Sequence, residues 1–261
     1  TGITMPITKH NYIVKDVKKL ADTVREAFVI ASEGRKGPVL IDIPKDVSAQ
    51  LCEYKKKTPT EAETKIYSDT DKEIEKAASL IRQSKKPFIY GGGGLVSCNV
   101  AEKFKKFVKT VDAPVSLSLM GQCAFDNTDE YYIGMLGMHG TKTSSLVIKE
   151  CDLMIVLGSR FSDRVTCNTE TFAKNTKIIH VDVDPAEINK NVRTYHSVHG
   201  DLDYVLDKLN SLLSQLSHKE WIDKVMEWKK EFPLCQYGFN DDDVLPKDVI
   251  STLDELTNGE A

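Results

Sequence analysis

Apolar residues recur in this chain at two spacings, and the alternation of the two outlines an architecture. Between 14 and 34, Val17, Leu20, Ala21, Val24, Ala27, Phe28 and Ala31 fall on one helical face, and Gly34 supplies a stop. Residues 38–43 (Pro-Val-Leu-Ile-Asp-Ile) are nearly continuous in apolar character, as in a strand buried on both faces. This pair is too small to fold alone and is expected to complete a sheet whose other strands precede residue 1. Residues 53–70 are charged, Thr-rich and aperiodic, and read as an exposed linker.

A regular rhythm follows. Helices are predicted at 71–84, 100–110, near 142–150, at 202–216 and at 219–230. Strands are predicted at 87–90, 114–119, 153–157 and 177–183, with a short extended piece at 197–199. Strands separated by helices of this length define an α/β fold, a doubly wound parallel sheet with flanking helices. Within the long helix, Leu202, Val205, Leu206, Leu209 and Leu213 keep register; in the next, Trp221, Val225 and Trp228 share a side. After Pro233 come Asp241-Asp242-Asp243, read as a solvated loop, and a last helix from Pro246 carrying Val249, Ile250, Leu253 and Leu256. The organisation expected is thus 1–50 as the end of one unit, 51–70 as linker, 71–232 as a central α/β domain, and 233–261 as linker and the opening of a third unit. The start at Thr1 and the stop after Asn258-Gly259 fit a piece of a longer protein.

Composition narrows the class of function. The 261 residues are 41% hydrophobic and 28% charged, enough for a sizeable core. Thirty-five basic and 39 acidic side chains give a net charge of -4, which argues against nucleic-acid binding through a broad basic surface. No apolar run reaches the ~18 residues of a bilayer span, so no membrane partner is expected. The first apolar stretch is broken by Lys9, His10, Lys15 and Asp16, unlike a signal peptide. The six cysteines are scattered without a C-x-x-C pair, so neither structural zinc nor a disulfide framework is expected, and reduced thiols in the cytoplasm are.

In an open parallel sheet, ligands bind beyond the carboxyl ends of the strands. Those ends carry Gly92-Gly93-Gly94, Ser118-Leu119-Met120, Gly158-Ser159-Arg160, Asp182-Val183-Asp184 and Gly200-Asp201. Glycines admit close backbone approach, acids accept from ribose hydroxyls, and arginine pairs with phosphate: the demands of a dinucleotide. The same glycines also suit plain turns, and Asp182 and Asp184 also suit helix caps. A G-x-G-x-x-G fingerprint and a G-x-S-x-G nucleophile turn are both absent. In Gly137-Met138-His139-Gly140-Thr141, either Thr141 or Thr143 can cap the helix that follows. His139 fits a ligand, an acid–base group or a hydrogen-bonded loop residue. His196 and His199, three apart but off any helix, are not read as a metal site.

Residues 134–166, with G-M-H-G-T at 137–141 and R-F-x-D-R-V-T at 160–166, together with 177–191, resemble the central domain of the acetolactate synthase (acetohydroxyacid synthase) large catalytic subunit family. Residues 7–45 resemble the end of that family's pyrimidine-binding domain, and 246–259 the start of its pyrophosphate-binding domain. The resemblance implies an enzyme that decarboxylates pyruvate and condenses the two-carbon unit with pyruvate or 2-ketobutyrate, in branched-chain amino acid synthesis. It implies thiamine diphosphate as electron sink, Mg²⁺, and an FAD with no net redox role held by this region. It places FAD contacts on Arg35, Gly92, Gly93, Gly94, Ser118, Leu119, Met120, Leu136, Gly137, Met138, His139, Gly140 and Thr141. Further contacts fall on Gly158, Ser159, Arg160, Arg164, Asp182, Val183, Glu187 and Asp201, and Met138, Asp163 and Arg164 line the substrate channel. Arg35 and Arg160 are expected to neutralise phosphates, and Arg164 to meet a substrate carboxylate.

Two positions depart from the family pattern: Ser162 replaces the first Asp of R-F-D-D-R, and Ser118 replaces a Thr. No catalytic residue or metal ligand is implied within the chain. The catalytic glutamate is expected before residue 1 and the G-D-G…N motif after residue 261, so the chain alone is expected to be inactive. The implied parent is a homodimer or tetramer, with or without a small regulatory subunit. Competing readings are another thiamine-diphosphate enzyme, of the pyruvate oxidase or glyoxylate carboligase type, and a non-catalytic nucleotide-binding module.

Overall fold

A computed structural model describes residues 2–58, 69–233 and 244–260. The run at 241–243 and most of the expected linker, 59–68, lie outside the described residues. The chain starts with a 3₁₀ turn, Gly2–Ile7, and strand β1, His10–Ile13. Helix α1, Val17–Ser32, follows; Asp16 caps it by accepting from the Lys18 amide at 3.0 Å. Strand β2, Val39–Asp42, then pairs in parallel with β1, and a single turn, α2, Lys45–Ser48, closes the unit. The strand expected at 38–43 therefore has a partner within the chain, His10–Ile13, which the pattern did not show. Four residues mixing His, Asn, Tyr and Ile carry no clear period.

The larger body begins with α3, Thr70–Gln83, so Thr70 belongs to a helix and not to the linker. It is followed by β3, Pro87–Gly91, a short helix α4, Gly93–Ser97, and α5, Ala101–Val111. Strand β4, Val115–Leu117, is shorter than the expected 114–119, because Leu119–Ala124 winds into a 3₁₀ helix. Strand β5, Tyr132–Met135, was not foreseen. Its Gly134 has φ +93°, and a Cβ there would sit 2.2 Å from Thr141 Cγ2; a glycine that reads as a breaker is what lets this strand pass the α6 cap. Then come α6, Lys142–Glu150; β6, Leu153–Leu157; the single turn α7, Asp163–Thr166; β7, Lys177–Asp182; and β8, His196–His199. Helix α8, Leu202–Leu212, stops short of 216 because the chain turns to give the Leu216 amide to Thr110 O at the end of α5. Helices α9, Lys219–Glu231, and α10, Pro246–Thr257, complete the order. Pro246 opens α10 and the Asp248 carboxylate accepts from the Leu245 amide at 2.9 Å. No described helix is long and apolar enough to cross a membrane.

The six central strands are all parallel, in the order β5-β4-β3-β6-β7-β8. Every residue of β3 and β6 is buried, so both sheet faces are covered. Alternation divides the core. Ile89, Ile155, Ile179 and Val181 pack under Ile74, Phe104, Phe107, Val205 and Leu209 from α3, α5 and α8. Phe88, Met154, Val156 and Ile178 face the other way, toward Val147 of α6 and Trp221 and Val225 of α9. The doubly wound α/β class expected from the rhythm is the observed one.

One carboxylate ties the start of two central strands together. Asp152 accepts from the Ser84 hydroxyl and from the amides of Lys85 (2.8 Å) and Lys86 (3.1 Å). Burial alone raises its pKa, but these donors outweigh that and hold it below the usual carboxylate value. A depressed folded pKa stabilises the fold above the unfolded pKa, and that contribution is lost as pH falls through the folded value. Asp152→Asn is therefore expected to lower the melting temperature at pH 7, with the gap to wild type narrowing below about pH 4. A gap constant from pH 7 to pH 3 contradicts this role.

Candidate functional site

The strand order reverses between β3 and β6, and the crevice beyond their carboxyl ends is where a doubly wound sheet offers a ligand site. A cavity of about 490 Å³ lies there. Its floor is built by backbone meeting backbone. Gly92 N donates to Leu157 O (2.9 Å), Gly94 N to Gly158 O (3.1 Å), and Ser118 N to Gly91 O (2.9 Å). Gly158 has φ +59°, a left-handed conformation that turns the chain away from β6. A Cβ on Gly92 would stand 2.1 Å from Gly158 O, so Gly92 is buried in the tip and does not reach the cavity; Gly93 and Gly94 do. Ser118, Leu119 and Met120 line it where the 3₁₀ helix begins.

The two motif runs meet in one wall. Met138 N donates to Arg164 O at 2.8 Å, and a Cβ on Gly137 (φ +106°) would lie 2.5 Å from that same carbonyl oxygen. Leu136, His139, Ser159, Arg160, Ser162, Arg164 and Val165 reach the cavity from this wall. Gly137, Met138, Gly140, Thr141, Asp163 and Asp201 do not. The reasons are local. Thr141 caps α6, accepting from Ser144 N at 3.0 Å and donating to Ile133 O; Asp201 caps α8, accepting from Asp203 N at 2.8 Å. Asp163 accepts from Arg164 N at 2.9 Å, and Gly140 N closes the turn onto Gly137 O. Thr141, not Thr143, is the cap. The His139 side chain is exposed on the wall and makes no hydrogen bond among the described residues. His196 and His199 each face a main-chain carbonyl, of Glu73 (2.7 Å) and Val183 (3.2 Å).

The cavity lining carries charge of both signs. Asp182, Val183 and Glu187 line it. Burial raises the pKa of Asp182, whose carboxylate accepts from Asp184 N at 2.9 Å. Arg35 reaches these acids from the β1–β2 unit and gives its Nη1 to Asp184 (2.7 Å) and Glu187 (2.9 Å). Its Nη1 is thus paired with two carboxylates while the residue lines the cavity, and this pairing is why Asp184 sits below the usual carboxylate range. Arg160 and Arg164 also line the cavity, and their guanidinium groups have no side-chain partner among the described residues.

The loop carrying Arg160 is pinned by residues that sequence reasoning passed over. His180, fully buried on β7, faces Ser159 O at 2.9 Å through Nε2, so that nitrogen carries the proton. Burial drives its pKa down to about 4, and the ring is neutral. Asn191 Nδ2 donates to the carbonyl oxygens of Arg160 (3.2 Å) and Phe161 (3.0 Å). Phe161 is held at φ +50°, a strained value for a bulky side chain, edge-on to Phe172 and His180. Tyr90, Lys36, Ser97, Cys98 and Leu202 also line the cavity and were not foreseen. The fully buried Tyr90 and His180 read as core positions within their strands, so only their polar atoms set them apart.

Fold and cavity together define a doubly wound α/β domain with a crevice at the strand-order switch. The chain belongs to the thiamine pyrophosphate enzyme family: residues 74–209 match the model of that family's central domain. It is 36% identical over 268 residues to the acetolactate synthase large subunit of Cyanidium caldarium, aligning 98% of this chain with 46% of that protein. It is 39% identical over 269 residues to acetolactate synthase 2, chloroplastic, of Zea mays (99% and 42%). It is also 39% identical over 266 residues to the probable acetolactate synthase large subunit of Methanocaldococcus jannaschii (98% and 45%). The chain thus spans less than half the length of these relatives.

Proposed function

We propose that this chain is the central portion of an acetolactate synthase large subunit, and that its cavity holds FAD. The whole enzyme then decarboxylates pyruvate and joins the two-carbon unit to a second 2-ketoacid, using thiamine diphosphate and Mg²⁺ bound outside this chain. The reading rests on one observation above the others: a cavity at the strand-order switch whose lining combines the carboxylates of Asp182 and Glu187 with Arg160 and Arg164, two arginines that have no side-chain partner among the described residues. FAD fits this lining. Asp182 and Glu187 would accept from sugar hydroxyls, while Arg160 would meet phosphate oxygens and Arg164 the flavin side or a substrate carboxylate. Gly93 and Gly94 would let backbone approach the pyrophosphate. When bound, FAD supplies shape and charge complementarity to the wall and no net electron transfer. Residues 1–50 and 233–261 belong, on this reading, to the flanking domains. The five described cysteines are free, which fits a thiol-reducing compartment such as the cytoplasm.

Flavin fluorescence tests the site directly. FAD titrated with the purified chain is expected to lose fluorescence saturably, and the full-length protein is expected to form acetolactate from pyruvate while this chain alone does not. Unchanged fluorescence at millimolar flavin removes the proposed cofactor site. Acetyl phosphate or tartronate semialdehyde as the full-length product moves the parent to a different thiamine-diphosphate enzyme.

A further inference from the structure

Tyr90 occupies the next-to-last position of β3, opposite Val156 of β6 and Ser116 of β4 in the ladder, and so stands at the strand-order switch. Its side chain is fully buried, yet it forms part of the cavity lining. Its hydroxyl has no hydrogen-bond partner among the described residues. The side chains of Ser118 and Ser159 flank it and offset part of the effect of burial, but neither meets it in hydrogen-bond geometry. Buried hydroxyls without a partner are rare, since desolvation is uncompensated, and one aimed into a ligand-sized cavity points to a partner that comes from outside.

The chemistry of that partner follows from the surroundings. Burial raises the phenol pKa, so the group is neutral and carries its proton. Apolar side chains of the same cluster, Leu136 and Phe161, surround this part of the core. The guanidinium groups of Arg160 and Arg164 belong to exposed residues, and Arg35 is held by Asp184 and Glu187. The Tyr90 end of the floor therefore offers an uncharged donor. A dinucleotide bound across the switch lays its central stretch over this point.

We propose that the Tyr90 hydroxyl is a ligand-binding group that donates a hydrogen bond to an oxygen, phosphate or polyol, in the central stretch of the dinucleotide crossing the tips of β3 and β6. This rests on the flavin reading above and adds to it a residue that the strand-tip motifs do not contain. Tyr90→Phe keeps the ring and removes only the donor. In the full chain, FAD titration of the variant is expected to show a dissociation constant raised about three- to tenfold, the worth of one neutral hydrogen bond. The melting temperature of the flavin-free protein is expected to stay unchanged. Equal affinity in wild type and variant overturns the proposal. So does a loss of affinity accompanied by a lower flavin-free melting temperature, which marks the hydroxyl as a structural group satisfied by buried water. Absence of saturable FAD binding to wild type brings down the cofactor reading itself, and the role of Tyr90 with it.

Discussion

Gly92→Ala is expected to unfold the chain at a markedly lower temperature, while Gly93→Ala, one residue on, is expected to be mild. The difference lies in what the new methyl group meets. At Gly92 it would stand 2.1 Å from Gly158 O and 2.7 Å from Ser159 Cα, both main-chain atoms held by the β6 and β7 ladders. Relief requires the tips of β3 and β6 to separate, breaking the Gly92 N to Leu157 O and Gly94 N to Gly158 O bonds. Overpacking of this kind costs roughly 3 kcal/mol. For a domain of this size that is a drop of about 10 °C. At Gly93 the methyl would lie 3.0 Å from Met120 Cβ and 3.4 Å from Met120 O, so the exposed start of the 3₁₀ helix need yield by only a few tenths of an ångström. Differential scanning calorimetry of both variants measures the contrast. Equal melting temperatures for Gly92→Ala and wild type mean the tip is not packed as described.

Removing one guanidinium should cost the ligand more than removing another of equal formal charge. Arg160→Ala is expected to weaken FAD binding about ten- to a hundredfold, the loss of a charge-assisted hydrogen bond to phosphate. Its side chain is exposed and has no side-chain partner among the described residues, so the melting temperature of the flavin-free protein should be nearly unchanged. Wild-type affinity should also fall with rising salt, and the slope should flatten in the variant. Arg35→Ala is expected to do less to affinity, because Asp184 and Glu187 already occupy that guanidinium. It should instead loosen the β1–β2 unit, detected as faster proteolysis near Gly34. An Arg160→Ala protein that titrates with FAD as wild type does would mean the phosphates lie elsewhere.

Most of the central sheet was legible in the sequence because its strands are buried on both faces and its helices on one. Leu-Met-Ile-Val-Leu at 153–157 can hardly be anything else, and the Leu202–Leu213 face is helical in every interval. Strand β5 was not legible, since Gly134 interrupts it for a steric reason that resides in Thr141. Strand β1 is too short and mixed to show a period. The cavity wall was partly legible through the rule that strand tips carry ligands, which singled out Gly93, Ser118, Gly158, Arg160 and Asp182, all of which line the one cavity. What the rule could not give was the state of each group there. The partners of Arg35 lie 149 and 152 residues away, and nothing local to it signals that its charge is taken. Tyr90 and His180 sit inside strand patterns as ordinary bulky core residues, and only three-dimensional packing shows one hydroxyl unmet and one imidazole bracing a loop.

The Gly34–Lys36 segment comes from the small β1–β2 unit but lines part of the cavity, and Lys36 Nζ donates to Ser97 O across the boundary at 2.7 Å. A molecule filling the space would touch both bodies at once and act as a bolt between them. By thermodynamic reciprocity, whatever factor such occupancy adds to the cohesion of the two bodies, their cohesion returns to the occupant's affinity.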